Sequence, residues 1–130
     1  MSDANKAATD VATEFLAVME QRDLARARTY LADTVSMRFP NAEYSSLDAM
    51  IASAGGRYRW VKKRISATES FTTDGGDVVY VRGTLYGENL HGVPFEGIRF
   101  IDRFELRDGK IVAQDVWNDL AESGVLARRG

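Results

Sequence analysis

The strict alternation of apolar and polar residues from Glu96 to Leu106 constrains the fold of this chain more than any other sequence feature. The apolar positions are Ile98, Phe100, Phe104 and Leu106, and the charged positions between them include Arg99, Arg103 and Glu105. A period of two residues predicts a β-strand with one buried face. Asp102 lies in the apolar phase of this strand. Because an unpaired buried charge is too costly, we expect its carboxyl to be paired, protonated or exposed to a cavity.

The first third of the chain follows a helical period instead. Apolar residues recur there at spacings of three and four: Ala8, Val11, Ala12, Phe15, Leu16 and Met19. This spacing predicts an amphipathic helix. Asp23 and Ser46 are positioned to cap two further short helices, the second of which ends at the glycine pair 55–56. The segment from Val35 to Phe39 predicts a short strand between these two helices.

The period changes to two in the second half of the chain. Four strands are predicted there: Val61 to Phe71, Val78 to Tyr86, Phe95 to Arg107 and Ile111 to Trp117. The first and third connections contain Asp-Gly steps, which favour tight turns, and the second is a wider loop from Gly87 to Pro94. Helices followed by an antiparallel meander predict an α+β domain with its helices on one face of a curved sheet.

Length and composition narrow the class of protein. A chain of 130 residues fits one domain. It has no cysteine and only one histidine, His91, so a thiol nucleophile, a thiolate metal site and a multi-histidine metal site are excluded. The net charge of -2 argues against general nucleic-acid binding, and no apolar run approaches the roughly 18 residues of a membrane span. We therefore expect a cytoplasmic protein without a metal or another cofactor.

Four stretches resemble the nuclear-transport-factor-2-like superfamily, especially its SnoaL-like branch. They are Gln21 to Ala27, Leu31 to Val35, Asp102 to Ile111 and Asp115 to Leu120. The resemblance covers nearly the whole chain and implies one SnoaL-like domain over residues 1–130. It also implies a cone-shaped, curved antiparallel sheet packed on N-terminal helices, an arrangement also called cystatin-like. Such proteins enclose a pocket and often form homodimers through the outer sheet face. Their functions range from catalysis to ligand binding, so the fold alone does not give the function.

Two catalytic branches of the superfamily offer a comparison for Asp102. In ketosteroid isomerases a strand similar to residues 101–104 carries a protonated carboxyl that donates to an oxyanion. The position of the base carboxylate in those enzymes is Phe39 here, and their helical tyrosine falls near Phe15. In limonene-epoxide hydrolases an aspartate on the last strand would fall at Val116. The resemblance therefore places an acid at Asp102 but supports neither mechanism as it stands.

The catalytic candidates are Asp102, Tyr80 and Arg82. If Tyr80 and Arg82 face inward from the neighbouring strand, the three side chains would orient a carbonyl or an epoxide and exchange a proton with it. If they face outward, Asp102 has few partners. Alternatively, Asp102 and Arg82 form a purely structural ion pair. The alternating pattern of that strand leaves its orientation open.

The candidate ligand-binding residues lie on several elements: Phe15, Tyr30, Phe39, Trp60, Phe100, Gln114, Val116 and Asn118. For the aromatic residues, a place in the core is the alternative to lining a cavity. The family register directs Gln114, Val116 and Asn118 inward, where Gln114 and Asn118 would hold a polar group of the ligand. The alternative is that they cap a strand end or meet water.

Two further features have both a functional and a structural interpretation. His91 is either a general base at a pocket mouth or an exposed loop residue, and we favour the loop. The basic cluster (Arg57, Arg59, Lys62, Lys63 and Arg64) is either an anion-binding surface or a solvated strand face. The acidic balance elsewhere favours the solvated face.

The leading hypothesis is a cofactor-free enzyme with a small-molecule pocket. It would isomerise, cyclise, dehydrate or hydrolyse an apolar carbonyl or epoxide substrate by proton transfer. The alternative is a non-catalytic ligand-binding or interaction module. The expected partners are a small apolar ligand and a second copy of the chain, bound through the outer sheet face. Neither nucleic acid nor a membrane is expected as a partner.

Overall fold

The computed structural model describes residues 3–130, and the side chains from residue 6 onward. Its helices are α1 (Asp3–Glu20), α2 (Leu24–Arg28), α3 (Leu47–Ala54) and α4 (Leu120–Ser123), and a 3-10 turn follows at Val125–Ala127. Its strands are β1 (Leu31–Phe39), β2 (Ala42–Tyr44), β3 (Tyr58–Thr73), β4 (Gly76–Asn89), β5 (Pro94–Arg107) and β6 (Lys110–Asn118). The predicted α+β order of helices and long strands is confirmed.

The six strands form one curved sheet in the order β2-β1-β6-β5-β4-β3. The meander from β3 to β6 is antiparallel, as predicted. The expectation of a wholly antiparallel sheet is wrong at one place, because β1 pairs with β6 in parallel. The reason is topological: the meander starts at the far edge of the sheet, and its last strand returns beside β1 in the same direction. The sheet is therefore mixed.

Helix α1 packs against the inner face of the sheet and closes the core. Its residue Phe15 is almost completely buried and meets the ring of Phe104 on β5 edge to face, with the centroids 6.1 Å apart. The apolar phase of β5 that the sequence predicted is this inner face, and Ile98 and Leu106 are also buried there. The inner face of β5 thus sets the position of Asp102.

Two helix starts follow from short side chains that accept backbone hydrogen bonds. Asp23 Oδ1 accepts from the N–H of Arg26 at 3.2 Å, and Ser46 Oγ accepts from the N–H of Ala49 at 3.2 Å. These contacts satisfy amide groups that have no partner within the helix. Both predicted caps are confirmed.

The ribbon of β3 and β4 bends where β3 carries irregular register, between Tyr58 and Trp60 and between Ile65 and Ala67. Gly83 lies opposite the second irregularity. A Cβ atom at Gly83 would lie 1.9 Å from the carbonyl oxygen of Arg64. The close approach of the two backbones therefore requires glycine at this position.

A buried asparagine attaches the C-terminal segment to the loop between β4 and β5. The Asn89 amide nitrogen donates to the carbonyls of Val125 and Arg128, both at 2.8 Å. Its oxygen accepts from the backbone N–H groups of His91 and Val93, at 2.9 and 3.0 Å. Because all its polar atoms are bonded, Asn89 is buried without an unsatisfied group.

Candidate functional site

Asp102 is a buried carboxyl in the middle of the inner sheet face. It lies between Phe100 and Phe104 along β5, opposite Val81 on β4 and opposite Val116 on β6. The residue has no exposed surface. Its position in the apolar phase of the strand is therefore as the alternating pattern predicted.

The carboxyl has a cation near it but no hydrogen bond. Lys63 Nζ is 3.8 Å from Asp102 Oδ2, beyond hydrogen-bonding distance. Within the described part of the chain, neither Asp102 oxygen makes a hydrogen bond of normal geometry, and the buried Oε1 of Gln114 makes none either. Buried polar atoms are nearly always hydrogen-bonded, so three such acceptors in one region are unusual.

Burial raises the pKa of the Asp102 carboxyl above its ordinary value, because the interior of the protein disfavours the charged form. The charge of Lys63 and the nearby Gln114 side chain oppose this shift, but their effect on the pKa is smaller. The environment thus favours a neutral carboxylic acid, which is able to donate a hydrogen bond as well as accept one.

Lys63 is the partner that the sequence interpretation missed. The sequence predicts that Lys63 lies on a solvated face with the rest of the basic cluster, yet its side chain is only 24% exposed. Its Nζ also lies 5.3 Å from the centroid of the Phe100 ring, and its backbone N–H donates to Glu20 Oε1 at 2.6 Å. Val61 and Lys63 are both less exposed than Lys62 and Arg64. Because Lys62, Lys63 and Arg64 are consecutive charged residues, the sequence alone does not show which of them faces inward.

Tyr80 and Arg82 lie on the opposite face of the sheet from Asp102. Because Val81 pairs directly with Asp102, the residues on either side of Val81 point away from it. Tyr80 stacks on Phe71 with centroids 6.4 Å apart, and Arg82 Nε is 3.3 Å from Glu69 Oε1. The expected grouping of Asp102 with Tyr80 and Arg82 is therefore wrong, as is the alternative ion pair with Arg82.

The predicted aromatic residues do not surround one cavity. Phe15 is core, and Tyr30 meets it edge to face at 6.5 Å between centroids. Phe39 contacts Tyr44 at the β1–β2 hairpin, with centroids 5.8 Å apart. Trp60 is 40% exposed and lies in the phase of β3 opposite to Lys63. Of this set, Phe15 and Phe100 lie at the inner face of β5, where Phe100 is 2% exposed.

The last strand has the register that the resemblance implied. Gln114 and Val116 are buried, whereas Trp117 is 53% exposed. Asn118 Oδ1 accepts from the backbone N–H of Leu120 at 3.1 Å, so this side chain caps the turn into α4. The Gln114 side chain is near Asp102, and its Oε1 has no hydrogen-bond partner in the described chain.

A groove of about 830 Å³ opens beside β5 and β6 toward the outer sheet face. Its lining includes Arg38, Phe39, Arg82, Arg99, Phe100, Ile101, Asp115, Val116, Trp117 and Asn118. Asp102 is not among the lining residues, although its neighbours Ile101 and Val116 are. The groove and the buried carboxyl are therefore two separate features.

Two members of the basic cluster pair with acidic neighbours. Arg59 pairs with Glu88 at 2.8 Å, and Arg64 Nη1 lies 3.6 Å from Glu96. This pairing favours the solvated strand face. His91 is an exposed residue of the β4–β5 loop.

The described residues contain neither a metal-binding cluster nor a helix suited to crossing a membrane. In residues 3–130, no group of three or more histidine, cysteine, aspartate or glutamate side chains is arranged to hold a metal ion. Over the same range, none of the helices combines the length and the apolar character that crossing a membrane would demand.

The chain is similar in fold to several solved structures. TerC, crystallised with polyporic acid, is 15% identical with a TM-score of 0.80, over 94% of this chain and 99% of that one. An NTF2-like protein of unknown function from Burkholderia pseudomallei K96243 is 17% identical with a TM-score of 0.78, over 98% and 100% of the two chains. A protein from Jannaschia sp. CCS1, proposed to be a SnoaL-like polyketide cyclase, is 14% identical with a TM-score of 0.75, over 100% and 98%. These likenesses show the nuclear-transport-factor-2-like fold.

Comparison at the level of sequence gives the family. No curated protein matches the chain. The pattern of the family described as the SnoaL-like domain matches residues 12–114, which is most of the chain and includes Lys63, Asp102 and Gln114. The chain therefore belongs to the SnoaL-like domain family.

Proposed function

We propose that this protein binds an apolar small molecule carrying a carbonyl or epoxide group and that Asp102 exchanges a proton with it. One observation carries the proposal: the buried carboxyl of Asp102 and the adjacent buried Oε1 of Gln114 lack hydrogen-bond partners in the described chain. A polar group of a ligand would satisfy them. The SnoaL-like membership supports a ligand of this kind, as does TerC, which was crystallised with polyporic acid.

The proposed chemistry uses the neutral form of Asp102. Its O–H donates to the carbonyl or epoxide oxygen and stabilises the negative charge that develops there. When the proton transfers, the carboxylate that remains is stabilised by the Lys63 ammonium, whose Nζ is 3.8 Å away. The carboxylate takes a proton back from a carbon of the substrate or, in hydrolysis, from the attacking water, so no net proton is consumed. Isomerisation, cyclisation, dehydration and hydrolysis all fit this scheme.

The second candidate function is ligand binding without turnover. The position of Tyr80 and Arg82 on the other sheet face favours binding without turnover, because β4 then contributes no second proton donor beside Asp102. Phe39 in place of a base carboxylate favours it as well. In this case Asp102 and Gln114 would only orient the ligand.

Turnover by an isosteric variant tests the proposal. Enolisable ketones, polyketide-like carbonyl compounds and epoxides are screened with the wild-type protein. For a compound that is converted, Asp102→Asn is expected to lower kcat by about 100-fold or more, because general acid catalysis contributes about 10²–10⁴-fold. Glu105→Gln is the matched control, since Glu105 lies in the outward phase of the same strand and is expected to leave kcat unchanged.

The outcomes separate the two candidates. Full turnover by Asp102→Asn would contradict the catalytic role. A compound that the wild-type protein binds but does not convert over hours would favour the second candidate.

We further propose a homodimer through the outer sheet face. Ile101 and Trp117 pair directly across β5 and β6 on that face and are 40% and 53% exposed. The groove beside them carries both signs of charge, with arginines (Arg38, Arg82 and Arg99) and aspartates (Asp115 and Asp119). A two-fold interface places a patch against its own copy, which suits a surface of mixed charge around an apolar centre.

A further inference from the structure

Lys63 is the charged group that reaches Asp102 from the surface. Its Nζ lies 5.3 Å from the centroid of the Phe100 ring and 3.8 Å from Asp102 Oδ2. The side chain is 24% exposed, whereas that of Asp102 is completely buried. A ligand approaching Asp102 would therefore meet the Lys63 ammonium at the boundary between solvent and core.

The backbone fixes Lys63 in this place. Its N–H donates to Glu20 Oε1 at 2.6 Å, which ties β3 to the last residue of α1. The neighbouring Lys62 points the other way, with its Nζ 5.9 Å from the centroid of the Trp60 ring. Two adjacent lysines thus have the same charge and opposite surroundings.

The polar atoms around Asp102 define what would complete the site. Three buried acceptors, Asp102 Oδ1, Asp102 Oδ2 and Gln114 Oε1, lack donors in the described chain. If Asp102 is protonated, its O–H supplies one hydrogen-bond donor. A neutral Asp102 then no longer balances the positive charge of the Lys63 ammonium. An anionic oxygen would provide that counter-ion, and a hydroxyl on the same molecule would donate to Gln114 Oε1.

We propose that Lys63 is a ligand-binding residue and that the ligand is an apolar molecule with an acidic oxygen beside a hydroxyl or carbonyl oxygen, such as an acidic enol or a hydroxyquinone. The anionic oxygen contacts Lys63 Nζ and Asp102, and the neighbouring oxygen lies toward Gln114. This inference rests on the proposed function, because it places the ligand at Asp102.

The test compares an acidic ligand with its neutral ether. Polyporic acid is a hydroxyquinone with acidic hydroxyl groups, and its dimethyl ether has none. Binding of each compound is measured by isothermal titration calorimetry at neutral pH. Lys63→Met is expected to weaken the binding of polyporic acid by about tenfold or more and to leave the binding of the ether unchanged, because a charge-assisted contact is lost only for the acid. Lys62→Met is the matched control and is expected to bind both compounds as the wild type does.

Each outcome decides for or against the inference. If Lys63→Met binds polyporic acid as tightly as the wild type, or if the wild type binds neither compound, the inference is overturned. If Asp102→Asn weakens binding while Lys63→Met does not, the inference fails and the proposed role of Asp102 remains. Turnover of ketones or epoxides is measured in a separate assay. That assay tests the proposed function independently of whether polyporic acid binds.

A second measurement tests the inference even if Lys63→Met fails to fold. The 13Cε resonance of Lys63 in the wild-type protein is followed by NMR during titration with each compound. A shift with polyporic acid and none with the ether supports the inference, and no shift with either compound overturns it. Lys63→Arg keeps the charge and is expected to retain most of the affinity for polyporic acid.

Discussion

The Asp102 carboxyl makes the stability of the protein depend on pH. Its pKa in the folded protein is raised above the value of 3.8 that the free side chain has, with burial as the main cause. Below that lower value, the carboxyl is protonated in the folded and the unfolded chain, and it causes no loss of stability. As the pH rises toward the folded-state pKa, the unfolded chain releases the proton first and the free energy of unfolding decreases. Above the folded-state pKa the loss is constant.

Asp102→Asn is expected to remove this pH-dependent loss. The variant should have a larger free energy of unfolding than the wild type at neutral pH, because its amide carries no charge that burial would disfavour. Urea unfolding at a series of pH values from acidic to neutral checks this. Glu105→Gln serves as the control on the outer face. A difference between Asp102→Asn and the wild type that shrinks as the pH rises would contradict the assignment.

The sequence predicted the position of Asp102 but not its partner. Alternation along β5 needs only local residues, so it placed the carboxyl on the buried face. Predicting which basic residue lies near Asp102 requires knowing which face of β3 and β4 each basic residue occupies. Arg82 sits directly beside the strand partner of Asp102, whereas Lys63 reaches it from a strand farther away, across the inner face. Such a diagonal contact is not visible in the period of either strand.

Among the structural elements, the bent ribbon of β3 and β4 depends on Gly83. Gly83→Ala is expected to destabilise the protein by about 1–3 kcal/mol or more, because the added Cβ would overlap the carbonyl oxygen of Arg64. Urea unfolding followed by tryptophan fluorescence measures the change.

Gly55 provides the matched control for this substitution. It has φ of -61° at the end of α3, and the nearest atom to an added Cβ is 3.8 Å away. Gly55→Ala should therefore leave the stability unchanged or raise it slightly. Equal stabilities of the two variants would show that the backbones at Gly83 are not as close as described.

Local patterns predicted the elements better than their pairing. Each strand of the meander was found, and each is longer in the structure by one to three residues at most of its ends. The parallel pairing of β1 with β6 was missed, because it joins segments from opposite ends of the chain and has no local signature. The irregular register of β3 was missed for a related reason, since it reflects the bend of the whole sheet.

At the scale of the whole molecule, the exposed pair of Ile101 and Trp117 predicts self-association. Trp117→Arg is expected to convert a dimer into a monomer, because it places a charge at the apolar centre of the proposed interface. Sedimentation velocity at several protein concentrations measures this.

Leu90 is a suitable control site, because it is 44% exposed in the β4–β5 loop, away from that pair. Leu90→Arg should sediment as the wild type does. A monomeric wild-type protein, or a dimer that survives Trp117→Arg, would refute the outer-face interface.

The parallel pairing of β1 with β6 has a consequence for protein synthesis. β1 is translated long before β6, the strand that covers one of its edges: Met37 pairs with Gln114, and Arg38 with Asp115. Until then β1 has only the short hairpin partner β2. During translation the nascent chain therefore exposes an unpaired strand edge that other chains can bind. Chaperones that hold extended apolar segments should associate with this chain until β6 has emerged.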